Sequence, residues 1–197
     1  PGKFTKVQTF IDECSRYCRV SFFRDKSLAT FSRVLEEFER RAQIQHRQSK
    51  QWRGDSGTPV LAYFTDNASE VISAKQRERL ASKLIDLKLS TPHESQANGI
   101  AERVNRSIID LTRTLLHQAG LPLPFWHLAT EHAAYILNRL PTSSLPGNMS
   151  PYEAYYGKKP SRQNLRTWGS KCWVWLRREE REMKSKIAPT ARAMLFV

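Results

Sequence analysis

Acidic residues are scarce in this chain. The 19 Asp and Glu stand against 32 Lys and Arg in 197 residues, a net charge of +13. The shortage is sharpest from Lys158 onward, where 11 Lys and Arg meet 3 Asp and Glu, so +8 of the +13 sits in the last 40 residues. Such asymmetry points to a polyanionic partner, most simply nucleic acid, against the plainer alternative of a solvated basic tail. Long apolar runs are missing too. None approaches the roughly 20 residues that a membrane-crossing helix needs, and no secretory leader is visible. Cysteine is rare. Cys14, Cys18 and Cys172 form no disulfide framework, and the first two, four positions apart, have no His or further Cys at zinc spacing. Buried free thiols in a reducing compartment are the expectation. There is no internal repeat.

What is present suits one sizeable core and a small appendage, since 40% of the residues are hydrophobic. Residues 7–11 and 19–23, rich in Val, Phe and Ile, read as a hairpin turning at 13–16. Ser27 caps a helix whose apolar positions Leu28, Phe31, Val34, Leu35, Phe38 and Ala42 follow the helical period. Residues 45–59, polar with Gly54 and Gly57, read as a loop insertion. Then come a short buried strand at 60–65, a charged amphipathic helix at 73–87 and a last short strand at 87–89. Residues 91–98, aperiodic and holding Pro92, read as a mobile loop. The helix it enters carries Ile100, Val104, Ile108, Leu111, Leu115 and Leu116 on one stripe and stops at Gly120. Pro124 opens another helix through Trp126, Ala129, Ala133, Ile136 and Leu137. Residues 141–148 read as a linker, 168–176 as a strand, 177–186 as a charged segment and 193–197 as the start of another strand. This order indicates an α/β layer fold.

Two carboxylates stand at element boundaries in that scheme. Asp66 ends the strand at 60–65, and Glu102, with 35 residues between, opens the amphipathic helix. Acids so placed can converge, and two or three together bind the hard divalent cations that phosphodiester chemistry uses. Each has a plainer reading. Asp66-Asn67 suits an Asx turn closing a strand, and Glu102 suits a surface ion pair with Arg106 one turn later. Asp12, 54 positions before Asp66, is a third acid by spacing alone.

The words around these acids carry more. Asp66-Asn67, then Pro92-His93-Glu94-Ser95-Gln96-Ala97-Asn98-Gly99-Ile100-Ala101-Glu102-Arg103, resembles the integrase core of copia-type retrotransposons, a branch of the retroviral integrase superfamily. The resemblance runs nearly end to end. Phe10-Ile11-Asp12-Glu13-Cys14-Ser15-Arg16-Tyr17 is similar to the family's second-strand motif. Leu121-Pro122-Leu123-Pro124-Phe125-Trp126, Leu137-Asn138-Arg139-Leu140-Pro141-Thr142 and Ser150-Pro151-Tyr152-Glu153 resemble the helical region beyond the core. Leu165-Arg166-Thr167-Trp168-Gly169-Ser170-Lys171-Cys172 resembles a later strand motif. There are two departures. Ala68-Ser69 stand where the family has two glycines, and Ser95 replaces the loop's second proline.

The resemblance implies a ribonuclease H-like α/β fold, a mixed sheet with flanking helices, followed by helices and a small basic β-containing C-terminal segment. It sets the catalytic core at 1–140, a linker and short helix at 141–157 and the basic segment at 158–197. The family's central first strand, bearing the first of three catalytic acids, and a zinc-binding segment are expected upstream of residue 1. Pro1-Gly2-Lys3 resembles the turn leaving that strand, and Leu195-Phe196-Val197 falls inside another motif, so the chain reads as clipped at both ends. Asp12 matches a non-catalytic Asp of the second strand.

By the same resemblance Asp66 and Glu102 are the catalytic acids and hold Mg²⁺ or Mn²⁺, two ions in all. The activity implied is that of a polynucleotidyl transferase inserting element DNA into target DNA. These 197 residues alone are expected to be inactive, and an integrase remnant that only binds nucleic acid or protein partners is the alternative. His93, Arg103, Asn105 and Arg106 are expected near DNA phosphates. Lys171, Arg177 and Arg178, interleaved with Trp168, Trp173 and Trp175, suggest stacking plus charge, although Trp173 and Trp175 at alternate strand positions are ordinarily core. The expected partners are element and target DNA, further copies of the chain and other segments of one polyprotein, with no membrane. The expected location is the nucleus, with a cytoplasmic particle stage.

Overall fold

Strands β1 (Lys6–Ile11) and β2 (Cys18–Phe23) form the expected antiparallel hairpin, with Phe10 opposite Arg19 and Ile11 opposite Cys18. A computed structural model supplies the coordinates, and it describes residues 4–25, 27–48, 60–65, 73–89, 95–161, 163, 165–181 and 189–197. Successive strand residues point to opposite faces, and here both faces are covered. Phe10 and Phe23 enter one apolar cluster, while Ile11, Cys18 and Val20 enter another. The turn is held by Asp12, whose carboxylate accepts from Ser15 N at 2.7 Å and Ser15 Oγ at 2.5 Å.

Helix α1 (Leu28–Gln48) lies on the first face. Ser27 Oγ accepts from Thr30 N at 3.3 Å, the anticipated cap. Phe31, Val34 and Leu35 pack with Phe10 and Phe23, and the Phe38 ring stacks on Phe10 at 4.4 Å. The helix runs through Gln48, so a loop beginning at 45 is corrected. Gln, His and Arg are adequate helix formers, and no Gly or Pro intervenes before Gly54.

Strand β3 (Ala62–Thr65) pairs in parallel with β4 (Asp86–Leu89), and helix α2 (Ala74–Ser82) lies between them in sequence. This helix ends five residues before the expected 87, where Leu84 takes φ 56°. The strand expected to be buried is half-buried, with Phe64 52% exposed. The reason is pairing. Instead of one mixed sheet, the described residues form three two-stranded ladders, and β3 is bonded to β4 alone. Tyr63 of β3 and Leu87 of β4 nevertheless join the Phe10 cluster, so α1 covers both the hairpin and the parallel pair.

On the other face lie α3 (Ser95–Ala119) and α4 (Trp126–Leu137). The first starts at Ser95, inside the stretch read as loop, so that boundary is also corrected. It stops at Gly120, φ 61°, with Leu121 N bonded to Leu116 O. Ile108, Leu115 and Leu116 meet Ala129 and Ala133, both 0% exposed; small side chains there let the helices approach closely.

One side chain ties this layer to the hairpin. Asn138 Oδ1 accepts from Cys18 N at 2.8 Å, and its Nδ2 donates to Cys18 O at 2.7 Å. The amide acts as a one-residue strand laid against β2. Arg139, next in sequence, stacks its guanidinium on Tyr135 (3.4 Å) and Tyr152 (4.8 Å). Tyr152 belongs to α5 (Pro151–Tyr156), capped by Ser150.

Strands β5 (Lys171–Trp175) and β6 (Ala191–Leu195) pair antiparallel. Trp168, just before β5, is buried in the α3–α4 cluster. Gly169, φ 79°, follows it; a Cβ there would come within 2.2 Å of Ala119 Cβ.

The thiols differ from the expectation that all are buried. Cys14 is exposed in the hairpin turn, Cys172 is intermediate and Cys18 is buried, with burial pushing its pKa up to about 11. At pH 8 an alkylating reagent should modify Cys14 about a hundredfold faster than Cys18, because the thiolate is the reactive form. Peptide mapping after timed labelling checks this, and equal rates would mean that the hairpin opens readily.

Candidate active site

Glu102 sits in the second turn of α3. Glu102, Arg103, Asn105 and Arg106 are all exposed, while Val104 and Ile108 turn inward. The ion pair between Glu102 and Arg106 that would make this acid ordinary does not form, and among the described residues Glu102 has no hydrogen-bond or charge partner. A free carboxylate on a rigid helix, beside two arginines, is therefore offered to whatever lies in front of it.

Asp66 lies outside the described residues, as does His93. Strand β3, which leads into Asp66 at Thr65, does touch α3. The helix carrying Glu102 and the strand that precedes Asp66 in sequence are neighbours. Among the described residues no three His, Cys, Asp or Glu side chains are grouped as a ready metal cluster. Asp12 is occupied in its own turn by Ser15.

The basic segment holds a second surface. Trp173 and Trp175, alternate residues of β5, are 67% and 62% exposed. The core reading of this pair is corrected, since the β5–β6 ladder has no third layer over that face among the described residues. Lys171 Nζ lies 5.1 Å from the Trp173 ring, and the Arg181 guanidinium lies 5.5 Å from Trp175. Trp168 does not join them, being buried. Arg177 is drawn into hydrogen bonds with Glu180 at 2.9 and 3.1 Å. Arg178 lies in the same short 3₁₀ turn.

Sequence reasoning missed a buried polar cluster behind β3. Glu39, nearly inaccessible on α1, accepts from Arg79 in bidentate fashion (2.9 and 3.1 Å) and from Lys83 Nζ at 2.7 Å. Tyr63 Oη lies 3.5 Å away, and the Gln76 amide lies between Ser32 and Arg79. Burial opposes ionisation of Glu39, but the hydrogen bonds from Arg79 and Lys83 outweigh it and hold the carboxyl below its ordinary range. Burial raises the neighbouring Tyr63 hydroxyl. The sequence signal was weak: one Glu on the apolar stripe of α1.

No family model matches the chain. It is 35% identical over 132 residues, 66% of its length, to the retrovirus-related Pol polyprotein from transposon RE2 of Arabidopsis thaliana. It is 29% identical over 173 residues, 88% of its length, to that from transposon TNT 1-94 of Nicotiana tabacum. The chain spans 9% and 12% of those two relatives. Among solved structures, the HTLV-2 integrase catalytic core domain in complex with magnesium, in a trimeric form, matches 76% of this chain and 92% of its own at TM-score 0.51 and 21% identity. A chain of the simian T-cell lymphotropic virus intasome in complex with PP2A regulatory subunit B56 gamma matches 95% of this chain and 61% of its own, at TM-score 0.58 and 14% identity.

Proposed function

We propose that this chain, which is related to retrotransposon Pol polyproteins and has the fold of an integrase catalytic core, serves DNA strand transfer. The reaction class is transesterification at a phosphodiester. A DNA 3′ hydroxyl attacks phosphorus, a new P–O bond forms, and the displaced 3′ oxygen leaves and takes up a proton. Carboxylate oxygens are the donors that hard divalent cations prefer, so Asp66 and Glu102 fit Mg²⁺ or Mn²⁺. Such ions, when bound, lower the pKa of the attacking hydroxyl and neutralise the leaving oxygen. Glu102 is suited to its part because it stays unpaired on a helix fixed by the α3–α4 core. Arg103 and Arg106 flank it and would hold phosphates without reading sequence. Strand transfer on a chromosome implies action in the nucleus, on element and target DNA, within an assembly of several copies.

The carrying observation is the partnerless Glu102 carboxylate on a helix that touches the strand leading into Asp66. Glu102→Gln keeps shape and helix propensity while removing the charge. In the integrase that contains this chain, it should lower strand transfer by about 100-fold and leave DNA affinity within a few-fold. Unchanged strand transfer would favour the alternative, a remnant that binds DNA without chemistry. The exposed Trp173–Trp175 pair supports binding on either reading.

A further inference from the structure

Beside α3 is a cavity of about 330 Å³. Ile100, Arg103, Val104 and Ser107 contribute one helical stripe to its wall, on a different face of the helix from Glu102. Arg16 lines it from the hairpin turn and Thr142 from the loop after α4. Two arginines therefore line one concavity that, among the described residues, no Asp or Glu lines.

Arg16 is the more telling of the two. Its backbone has φ 61°, a conformation that costs a non-glycine residue on the order of 1 kcal/mol. Its side chain has Nη1 buried with no hydrogen-bond partner. A guanidinium nitrogen buried without a partner is costly unless an acceptor meets it. Arg103 likewise has no ion pair among the described residues.

We infer that this cavity is a phosphate subsite, in which Arg16 and Arg103 together hold one phosphodiester of a bound nucleic-acid strand. The inference rests on the reading of the chain as DNA-binding and adds where one phosphate sits. Arginine suits the task because its planar fork meets two phosphate oxygens at once. The apolar floor, which includes Leu137 and Pro151, gives the adjoining sugar a surface to lie against. The volume is at the low end for small-molecule pockets, so one nucleotide unit fits and a duplex does not.

The test uses the whole chain and a fluorescent oligonucleotide, with Kd measured across salt concentrations. Arg16→Gln leaves the backbone strain as it is, and Arg103→Gln is an exposed change between good helix formers. Arg33→Gln, on the exposed face of α1, removes equal charge elsewhere. Each cavity variant should raise Kd about five- to tenfold on unrelated sequences and lower the slope of log K against log salt by about one. Arg33→Gln should change Kd less than twofold.

If both cavity variants behave like Arg33→Gln while the wild type binds, the subsite is overturned and the DNA-binding reading stands. If the wild type shows no salt-dependent binding, both fall. Inorganic phosphate that displaces the oligonucleotide at equal phosphate concentration would mark a free-anion site and overturn the strand assignment. Failure of phosphate to compete supports it.

Discussion

Replacing Glu39 with Ala should cost this protein about 3–5 kcal/mol, because it leaves the Arg79 guanidinium buried without its counter-charge. At this chain length the melting temperature should fall by about 10 °C, read by circular dichroism. The loss is not the net worth of the ion pair. Desolvating two charges offsets most of their attraction, so Glu39→Met with Arg79→Met should recover most of the deficit, Lys83 being free to turn to water. A double variant no better than the single one would show that the network has no apolar substitute.

The same carboxyl sets a pH dependence. Its folded pKa lies below the unfolded value, so its contribution is complete above about pH 4.3 and disappears as the pH falls through the lower folded value. Wild-type stability should drop more steeply on acidification than that of Glu39→Gln. Parallel acid limbs would assign the transition to other carboxylates.

The second large effect is at Asn138. Asn138→Leu strips the partners from both backbone groups of Cys18, at about 1–3 kcal/mol each. Asn138→Asp should be nearly as damaging at neutral pH, since a carboxylate would face the Cys18 carbonyl. Protonation restores a donor, so its deficit should shrink as the pH falls through the carboxylate range. Urea melts at two pH values distinguish the variants, and a neutral outcome for Asn138→Leu would mean that the hairpin and α4 are held by apolar contact alone.

What was legible in the sequence was local. The hairpin follows from two Val- and Phe-rich runs around a polar turn, and α3 follows from a stripe sustained for four turns and stopped by a glycine at positive φ. Boundaries failed where residues carry weak preference, as at Gln45–Gln48, or where a serine stands in place of a proline at the first position of α3. The Trp173–Trp175 error has a different origin. Alternation tells which residues share a face, but not whether anything lies over it. The Asn138–Cys18 bonds span 120 positions and the Glu39–Arg79 pair spans 40, so neither leaves a pattern in any local window. At the candidate site, Glu102 is singled out by its flanking words and not by spacing, while the Arg16 cavity has no sequence signal, because its walls come from three distant segments.

The contact between Gly169 and Ala119 makes α3 a ruler. Any side chain at 169 would drive the two backbones apart, so the turn that launches the tryptophan strand is seated hard against the far end of the helix that carries Glu102. From Glu102 to Ala119 the helix rises about 25 Å at 1.5 Å per residue. A duplex laid along it would pass about seven base pairs, at 3.4 Å each, between the carboxylate and the tryptophan turn. Four residues inserted into α3 would lengthen that interval by about 6 Å. The gauge length lies in the helix, and the missing Cβ of one glycine fixes its zero.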